Sequence, residues 1–342
     1  MKVLVTGAAG FIGGHLVDSL VNDGEDVRCF VKVGNDVPHL KELPVEVVFG
    51  DLRDVDSVRK AVEGMDIVYH LGALSRVNLE TPDEEYRAIN VEGTRNVLEA
   101  SRLSGVSKVI YTSSIEAVGP SLDGKPLTES AEPHPTTIYG ETKLGGERAV
   151  REYVEKYGLH AMIVRPPMTY GPRSLLYFPR LFSFIKRGFY PIVGSGRALI
   201  EFHYVKNQVH GLRLAAGRGR AGEAYFISDE RSYTTEEIVR EIAAQLGVRL
   251  RLFHIPLSVA WPLAHTFEFL NKFLKFYPFY IKDTARPIFH TNIVRWASES
   301  RMFCDCSKAR KELGYIPPYS LSDGIRETIA WHREIGKLKN DD

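Results

Sequence analysis

Cysteine is scarce in this chain, with three residues among 342, at Cys29, Cys304 and Cys306. Three cysteines are too few for a disulfide framework, and Cys304-Asp-Cys306 has no second Cys/His pair nearby that would complete a metal site. Charge of one sign is not in excess either, because 44 Lys and Arg residues oppose 43 Asp and Glu residues. Because the Cys304/Cys306 pair stands alone, we expect no bound metal. Because no basic block is present, we expect no nucleic-acid partner.

Long hydrophobic runs are equally lacking. No stretch reaches the roughly 18 consecutive apolar residues of a membrane-spanning helix. The first apolar run is short and leads directly into a glycine turn, which is not the pattern of a signal peptide. We therefore expect a cytoplasmic protein with reduced thiols. The length of 342 residues allows one large domain or two modest ones.

Short apolar segments alternate with amphipathic helical segments through the first half of the chain. The pattern predicts strands at 2–6, 26–32, 45–49, 66–70, 108–112 and 160–165, and helices near 11–22, 55–63, 83–104 and 138–157. This alternation is typical of an α/β fold with a doubly wound parallel Rossmann sheet. The rhythm then breaks, although a helix near 205–216 and a strand near 224–228 suggest a return to the sheet.

We predict two domains from this organisation. Residues 1–170 with 200–230 form the Rossmann domain, and residues 171–199 with 231–336 form a smaller, mostly helical C-terminal domain that binds substrate.

Three glycines follow the first predicted strand at three-residue intervals, namely Gly7, Gly10 and Gly13. Gly7 allows a sharp turn, Gly10 lets the backbone approach a pyrophosphate, and Gly13 lets the next helix pack closely on the strand. The helix that begins at Phe11 and Ile12 directs unpaired N–H groups and a positive dipole end towards the phosphates. A strand, a glycine turn and a helix N-terminus in this order indicate a dinucleotide cofactor.

The ends of the later strands supply further candidate cofactor contacts. The second strand ends at Lys32 without the acid that usually accepts the ribose hydroxyls of NAD, and a cation there favours the 2′-phosphate of NADP. We therefore expect NADP to be favoured and NAD to remain possible, unless Lys32 is simply a solvated strand end. The other candidates at strand ends are Asp51, Leu52, Leu71, Gly72, Ala73 and Pro166.

Ser114, Tyr139 and Lys143 form the candidate catalytic set. Ser114 follows the fifth strand, whereas Tyr139 and Lys143 lie four residues apart and share one face of a helix. An ammonium near a phenol lowers its pKa from about 10 and allows proton exchange at neutral pH. The spacing alone is compatible with a solvated helix pair, but its position behind a dinucleotide turn and a serine-tipped strand favours catalysis.

The chain resembles the extended short-chain dehydrogenases/reductases over nearly its whole length, most specifically up to Tyr170. The motifs that carry this resemblance are the Thr6/Gly7/Gly10/Gly13 turn, Asp51, the Ser114/Tyr139/Lys143 triad, Asn90/Gly93/Thr94, Tyr170–Arg173, and Lys308/Ala309 with Leu313–Tyr315. The resemblance implies that Asp51 contacts adenine and that Tyr139 and Lys143 also contact the cofactor. It further implies that the second half caps the cofactor and binds a small-molecule substrate. A homodimer through the helices that bear Asn90 and Tyr139 is implied as well.

Two positions bear on the substrate. Sugar-nucleotide members usually carry an asparagine and an arginine where this chain has Met168 and Ile200. A diphosphate needs a cationic or bidentate partner, and neither residue is one. Arg173, Arg197 or Arg295 could bind the diphosphate instead, so a sugar-nucleotide substrate stays an alternative. The segments 112–120 and 205–211 resemble the 3-beta-hydroxysteroid dehydrogenase branch instead.

An aromatic stretch at 259–281 leaves three roles open: it lines an apolar pocket, makes peripheral contact with a membrane, or forms an ordinary buried cap. Its aromatic residues include Phe267, Phe269, Phe273, Phe276, Tyr277, Phe279 and Tyr280. We predict an NAD(P)-dependent oxidoreductase that interconverts a secondary alcohol and a ketone on an apolar, sterol-like substrate. The alternatives are a nucleotide-sugar epimerase or dehydratase, and a cofactor-sensing binding protein, against which the intact triad argues.

Overall fold

The computed structural model describes residues 1–75, 81–174, 178–274, 280–281, 286–287, 291–298 and 301–338. Within these ranges the strands are, in chain order, β1 (Lys2–Thr6), β2 (Asp26–Lys32), β3 (Glu46–Gly50), β4 (Ile67–His70), β5 (Lys108–Thr112), β6 (Ala161–Arg165), β7 (Thr169–Tyr170), β8 (Phe189–Val193), β9 (Leu199–Ile200), β10 (His203–Tyr204), β11 (Ala224–Phe226), β12 (Tyr233–Thr234), β13 (Arg251–Ile255), β14 (Tyr280–Ile281) and β15 (Arg286–Pro287).

The helices are named in the same way. They are α1 (Phe11–Asn22), α2 (Pro38–Lys41), α3 (Val55–Val62), α4 (Asp83–Arg87), α5 (Gly93–Leu103), α6 (Ile138–Tyr157), α7 (Phe178–Lys186), α8 (Val205–Arg218), α9 (Thr235–Leu246), α10 (Leu257–Leu274), α11 (Thr291–Ser298), α12 (Ser307–Leu313) and α13 (Leu321–Glu334). A π-helical turn at Ala88–Glu92 joins α4 to α5, and a 3₁₀ turn at Ile115–Ala117 follows β5.

Seven strands form the central sheet in the order β3-β2-β1-β4-β5-β6-β11. Every pairing in this sheet is parallel. The chain winds outward from β1 in both directions, so the strand order reverses between β1 and β4, where open α/β sheets bind their ligands. The predicted α/β fold with a doubly wound parallel sheet is confirmed.

Both faces of the sheet are covered, which explains why its strands are apolar throughout rather than alternating. Val3 and Val5 of β1 are fully buried in one core with Leu16 of α1. Leu4, which points to the opposite face, is buried in a second core with Val97 of α5. The carboxyl ends of the central strands therefore meet along a single edge, between two layers of helices.

A third core gathers aromatic and aliphatic residues from the second half of the chain. Tyr170 stacks on Phe202 with ring centroids 4.0 Å apart, and the cluster also includes Phe178, Phe182, Ile238 and Ile325. Short strand pairs that the sequence did not reveal punctuate this mostly helical part, including β13 on β8 and β9 on β12. Strands of two to five residues are too short to display a clear period. The division into two domains stays a prediction.

The helix predicted at 83–104 is interrupted by the π-helical turn that carries Asn90. The Asn90 side chain accepts a hydrogen bond from the Leu74 amide at 2.7 Å and donates to the Leu74 carbonyl at 3.1 Å. This anchoring accounts for the extra residue in the turn, because π-bulges recur where a side chain must be aimed at a specific partner.

The aromatic stretch is described only in part. Phe276, Tyr277 and Phe279 lie outside the described residues, as do the side chains of Phe273 and Tyr280. In the described portion of α10, Phe269 is 60% exposed, so this helix is not simply a buried cap. Across the described ranges we find no helix with both the length and the apolar character needed to cross a bilayer.

Candidate active site

The glycine turn holds the end of β1 against the end of β4. Gly7 has a φ of +70°, and a Cβ there would lie 2.8 Å from the Gly72 amide nitrogen. A Cβ at Gly13 would lie 2.2 Å from the Gly7 carbonyl oxygen, to which Gly10 donates its amide at 2.9 Å. The turn therefore requires glycine at Gly7 and Gly13, as the spacing suggested.

The first turn of α1 presents backbone donors. Gly10 is the N-cap, and no side chain caps the helix. The amides of Phe11, Ile12 and Gly13 occupy the first three helical positions, whose N–H groups have no partner within a helix. A helix N-terminus of this kind binds phosphate groups, so these residues fit the pyrophosphate of a dinucleotide.

The ends of β2 and β3 carry charged residues, and one ion pair among them was not anticipated by the sequence analysis. Lys32 ends β2 opposite Gly50 of β3 and is exposed. Asp51 follows directly and accepts two hydrogen bonds from the Arg53 guanidinium, at 3.0 Å from Nε and 2.6 Å from Nη2. Arg53 holds the pKa of the Asp51 carboxyl below its usual range. Leu52, which stands between Asp51 and Arg53 in the sequence, is buried.

Hydrogen bonds connect the residues that follow β4 with Thr6, which precedes the glycine turn. Leu71 donates its amide to the Thr6 carbonyl at 3.2 Å, and the Gly72 amide donates to Thr6 Oγ1 at 3.0 Å. Ala73 follows and is partly exposed. On the other side of β5, the Ile115 amide donates to the Pro166 carbonyl at 3.0 Å, which brings Pro166 next to the end of β5.

The candidate catalytic residues converge at the carboxyl ends of β5 and β6. Ser114 leads into the 3₁₀ turn after β5, and its hydroxyl accepts from the Glu116 amide at 3.1 Å. Tyr139 and Lys143 lie one turn apart near the start of α6, which Thr137 caps by accepting from the Gly140 amide at 3.0 Å. The Ser114 side chain is a neighbour of the Tyr139 phenol and acts to lower the pKa of the phenol. Ser114 and Tyr139 are thus neighbours, whereas the Lys143 ammonium lies over the Tyr111 ring, 4.3 Å from the ring centroid.

The electrostatic surroundings differ from the expectation. Burial raises the pKa of the Tyr139 phenol above its usual value, the Glu116 carboxylate adds to this increase, and the Ser114 side chain opposes it. Burial also lowers the pKa of the Lys143 ammonium to about 7, against the pull of the Glu147 carboxylate. Glu116 is therefore a neighbour of the phenol that the sequence analysis missed, and the expected lowering of the Tyr139 pKa by Lys143 stays a prediction.

A buried hydrogen-bond chain connects the glycine turn with α6. Thr6 Oγ1 lies 2.7 Å from His70 Nδ1, and His70 Nε2 lies 3.0 Å from Thr94 Oγ1. Thr94 donates to the Asn90 carbonyl, so its oxygen accepts from His70 Nε2, and Nδ1 accepts from Thr6. Asn90 then donates to Thr142 Oγ1 at 2.9 Å. Burial lowers the pKa of His70 to about 3, which keeps the imidazole neutral as this chain requires.

A buried ion pair connects the ends of β5 and β6 with α6. Arg165, the last residue of β6, donates to both carboxylate oxygens of Glu147 on α6, at 2.8 and 2.7 Å. Ser113, next to Ser114, donates to Glu147 Oε1 at 2.7 Å. These contacts lower the pKa of Glu147 despite its burial. The sequence shows Glu147 on the same helix face as Lys143, four residues further along. It does not show that Arg165 is the partner of Glu147, because a single acid on a helix does not indicate which distant residue it pairs with.

The candidate substrate side carries no obvious diphosphate clamp among the described residues. Met168 is 43% exposed, and Ile200 is half-buried. Of the three arginines that might replace the missing anchors, Arg173 forms an ion pair with Asp18 of α1 at 2.5 Å. Arg197 and Arg295 are exposed.

Comparison with known proteins agrees with this arrangement. The profile of the NAD dependent epimerase/dehydratase family matches residues 3–228. The chain belongs to this family. It is therefore an NAD(P)-dependent enzyme of the extended short-chain type, and the predicted family resemblance is confirmed.

Relatives within and around the family differ in chemistry. The chain is 29% identical to a 3-beta-hydroxysteroid dehydrogenase of Mycolicibacterium neoaurum, over 98% of this chain and 92% of that protein. It is 31% identical to sterol demethylase protein B of Methylococcus capsulatus, over 99% and 100%. It also resembles the crystal structure of DesIV, a dTDP-glucose 4,6-dehydratase of Streptomyces venezuelae with NAD and TYD bound, with a TM-score of 0.73, 26% identity and coverage of 98% and 97%. The family alone therefore does not select the substrate.

The ion pair makes a prediction about stability. Replacing Arg165 with Met leaves the Glu147 carboxylate buried without its main partner, and we expect unfolding to become easier by about 3–5 kcal/mol. Arg151 offers a matched control, since it contacts the same carboxylate at 3.4 Å but is 42% exposed. Arg151→Met should cost less than about 1 kcal/mol. Chemical denaturation measures the free energy of unfolding of both variants. Equal decreases in the two variants would contradict the view that Arg165 is the main partner of Glu147.

Proposed function

We propose that this enzyme is an NAD(P)-dependent oxidoreductase that interconverts a secondary alcohol and a ketone on an apolar, sterol-like substrate. The observation that supports the reaction type is the proximity of Ser114 and Tyr139 at the end of β5, with Lys143 one turn further along α6. The substrate class is supported by the apolar residues Met168 and Ile200, and by relatives named for steroid and sterol chemistry.

We propose that the backbone amides of Phe11, Ile12 and Gly13 hold the pyrophosphate of the cofactor, and that Asp51 with Leu52 receives the adenosine. Leu71, Gly72, Ala73 and Pro166 would line the path towards the nicotinamide. The bound nicotinamide ring supplies the hydride acceptor or donor. Lys143 would hold the ribose next to that ring.

Tyr139 would exchange the proton with the substrate oxygen, and Ser114 would hold that oxygen through its hydroxyl. The phenol in this structure has a raised pKa, so it is protonated at neutral pH and is suited to donating a proton in the reductive direction. Oxidation of an alcohol requires the phenolate, which a charged Lys143 favours. The Glu147 carboxylate, which supports the charge of Lys143, therefore contributes indirectly.

Three whole-chain features belong to the same proposal. Residues 171–199 with 231–336 would form the substrate-binding cap on the Rossmann domain of residues 1–170 with 200–230. The third core takes most of its residues from the cap ranges, but Tyr170, Phe202, Tyr204 and Val205 of the Rossmann ranges also belong to it. A homodimer through the helices that bear Asn90 and Tyr139, and a cytoplasmic location, remain predictions.

The first prediction concerns cofactor choice. Because Lys32 is exposed at the end of β2 and no acid replaces it, NADP should bind at least as tightly as NAD. Lys32→Ala should raise the Kd for NADP about tenfold, since a charge-assisted phosphate contact is lost, and leave NAD unchanged. Lys60→Ala, another exposed lysine on the neighbouring α3, is the control. Calorimetric titration that finds a preference for NAD, unaltered in the variant, would reject the NADP assignment.

The second prediction concerns proton exchange. Tyr139→Phe keeps the ring and removes the proton, so turnover should fall by a factor of about 10² or more while cofactor affinity is preserved. Lys143→Ala should impair both. Tyr157→Phe, at the exposed end of the same helix, should change neither. Consumption of NAD(P)H with 3-ketosteroids provides the assay, and near-normal turnover in Tyr139→Phe would remove this residue from the mechanism.

The third prediction separates the two candidate substrate classes. A buried diphosphate needs paired donors, and Arg173, whose guanidinium lies next to Gly14 of α1, is already paired with Asp18. UDP, TDP and GDP should therefore show no binding by calorimetry in the presence of cofactor. Micromolar binding that is lost in Arg173→Ala, Arg197→Ala or Arg295→Ala would instead favour an epimerase or dehydratase, the alternative that the DesIV likeness keeps open.

A further inference from the structure

We propose that Arg173 is a positioning residue that fixes the substrate side of the site to the cofactor-binding helix α1. Arg173 belongs to residues 171–174, called the connecting segment below, which follow β7 in the chain. Its Nη2 atom lies 2.5 Å from Oδ2 of Asp18 in α1. The two residues are 155 positions apart in the sequence, so this ion pair joins parts of the site that the chain itself leaves separate.

The backbone of the connecting segment is shaped for this contact. In the part of the chain that the structure describes, Arg173 is the only residue other than glycine with a positive φ, at +69°. A side chain is unfavourable in the left-handed region, so surrounding contacts must hold the residue there. Gly171, with a φ of +152°, lies so close to α8 that a Cβ would be 2.5 Å from Val205 Cγ1. The segment is therefore held by α8 at its start and by α1 at Arg173.

A second contact joins the connecting segment to α1. His15 Nε2 lies 2.9 Å from the Pro172 carbonyl oxygen, and because a carbonyl only accepts, Nε2 carries the proton and donates. Burial lowers the pKa of His15 to about 4, and the Arg173 charge adds to this decrease, so the imidazole is neutral at pH 7. Since Nε2 donates to Pro172, it does not accept from the guanidinium, whose acidic partner is Asp18.

These contacts fall on the part of α1 that carries the proposed pyrophosphate site. A Cβ at Gly14 would lie 3.3 Å from Arg173 Nη1, and Gly14 directly follows the three amides proposed for the pyrophosphate. The side chains of Phe11 and Ile12 pack against the third core, to which Tyr170 belongs. The start of α1 thus offers its backbone to the cofactor and its side chains to the residues around the connecting segment.

Met168 stands three residues before the connecting segment, on the candidate substrate side. Its carbonyl accepts from the His203 amide at 2.9 Å, and the two residues of β7 that follow pair with β10. A strand of two residues forms few backbone hydrogen bonds, so the contacts to α1 decide how firmly this stretch is placed. Loss of the ion pair should therefore weaken substrate binding and leave the cofactor site intact. The effect on substrate rests on the proposed function, whereas the effect on the segment does not.

The test uses the full chain with Arg173→Met, Asp18→Ala and the two combined. Each variant removes the same ion pair, so each should raise the KM for a 3-ketosteroid about fivefold while kcat and the Kd for cofactor stay unchanged. The double variant should show no further change, since the pair is already broken. The Ser174 amide donates to the Gly171 carbonyl at 3.1 Å, and its hydrogen exchange, followed by mass spectrometry without substrate, should quicken about fivefold.

Two controls separate the ion pair from its surroundings. Arg213→Met removes an arginine of α8 that bonds to Ser19 Oγ of α1 at 2.9 Å, and Arg213 is 31% exposed against 24% for Arg173. His39→Ala removes the other partner of Asp18, whose Nε2 lies 2.5 Å from Oδ1. Neither variant should change the KM or the exchange of the Ser174 amide. Circular dichroism checks that every variant is folded.

Three outcomes would overturn the proposal. The first is unchanged exchange of the Ser174 amide in Arg173→Met, and the second is an equal effect in Arg213→Met or an additive effect in the double variant. The third is a raised Kd for cofactor with an unchanged KM, which would place Arg173 in the cofactor site instead. If the unaltered protein turns over no ketosteroid, the proposed function fails, and the exchange measurement still decides whether the ion pair holds the segment.

Discussion

A fully buried ion pair between Glu147 of α6 and Arg165 of β6 connects the elements on which the candidate site depends. The carboxylate also receives the Ser113 hydroxyl of the β5 end, so one anionic group fixes two strand ends and a helix. Two charges taken out of water are costly unless their geometry satisfies both, and the bidentate contact does so. The position of Ser114 relative to Tyr139 follows from this arrangement.

A second buried system, made of neutral groups, fixes the other half of the edge. The hydrogen bonds from Thr6 through His70, Thr94 and Asn90 to Thr142 join β1, β4, the π-helical turn and α6. Each member is satisfied only when the others are in place, so the network specifies one arrangement of these elements. The cofactor turn and the helix that carries Tyr139 are thereby held in register by groups that need not touch substrate.

The polar edge of the sheet and the C-terminal part of the chain are built from different kinds of side chain. The edge of the sheet is buried, polar and fully hydrogen-bonded along the two systems described above. The C-terminal part, by contrast, packs around aromatic side chains such as Tyr170, Phe178 and Phe202.

The sequence by itself determined the strand alternation, the glycine turn and the Ser114/Tyr139/Lys143 set, because each depends on local spacing along the chain. The tertiary structure alone decided which distant groups meet. The pairing of Glu147 with Arg165 and the proximity of Glu116 to Tyr139 are examples. The π-helical turn at Asn90 likewise depends on Leu74, sixteen residues away. Such contacts carry no period in the sequence, since they arise only when parallel strands bring their carboxyl ends to one edge.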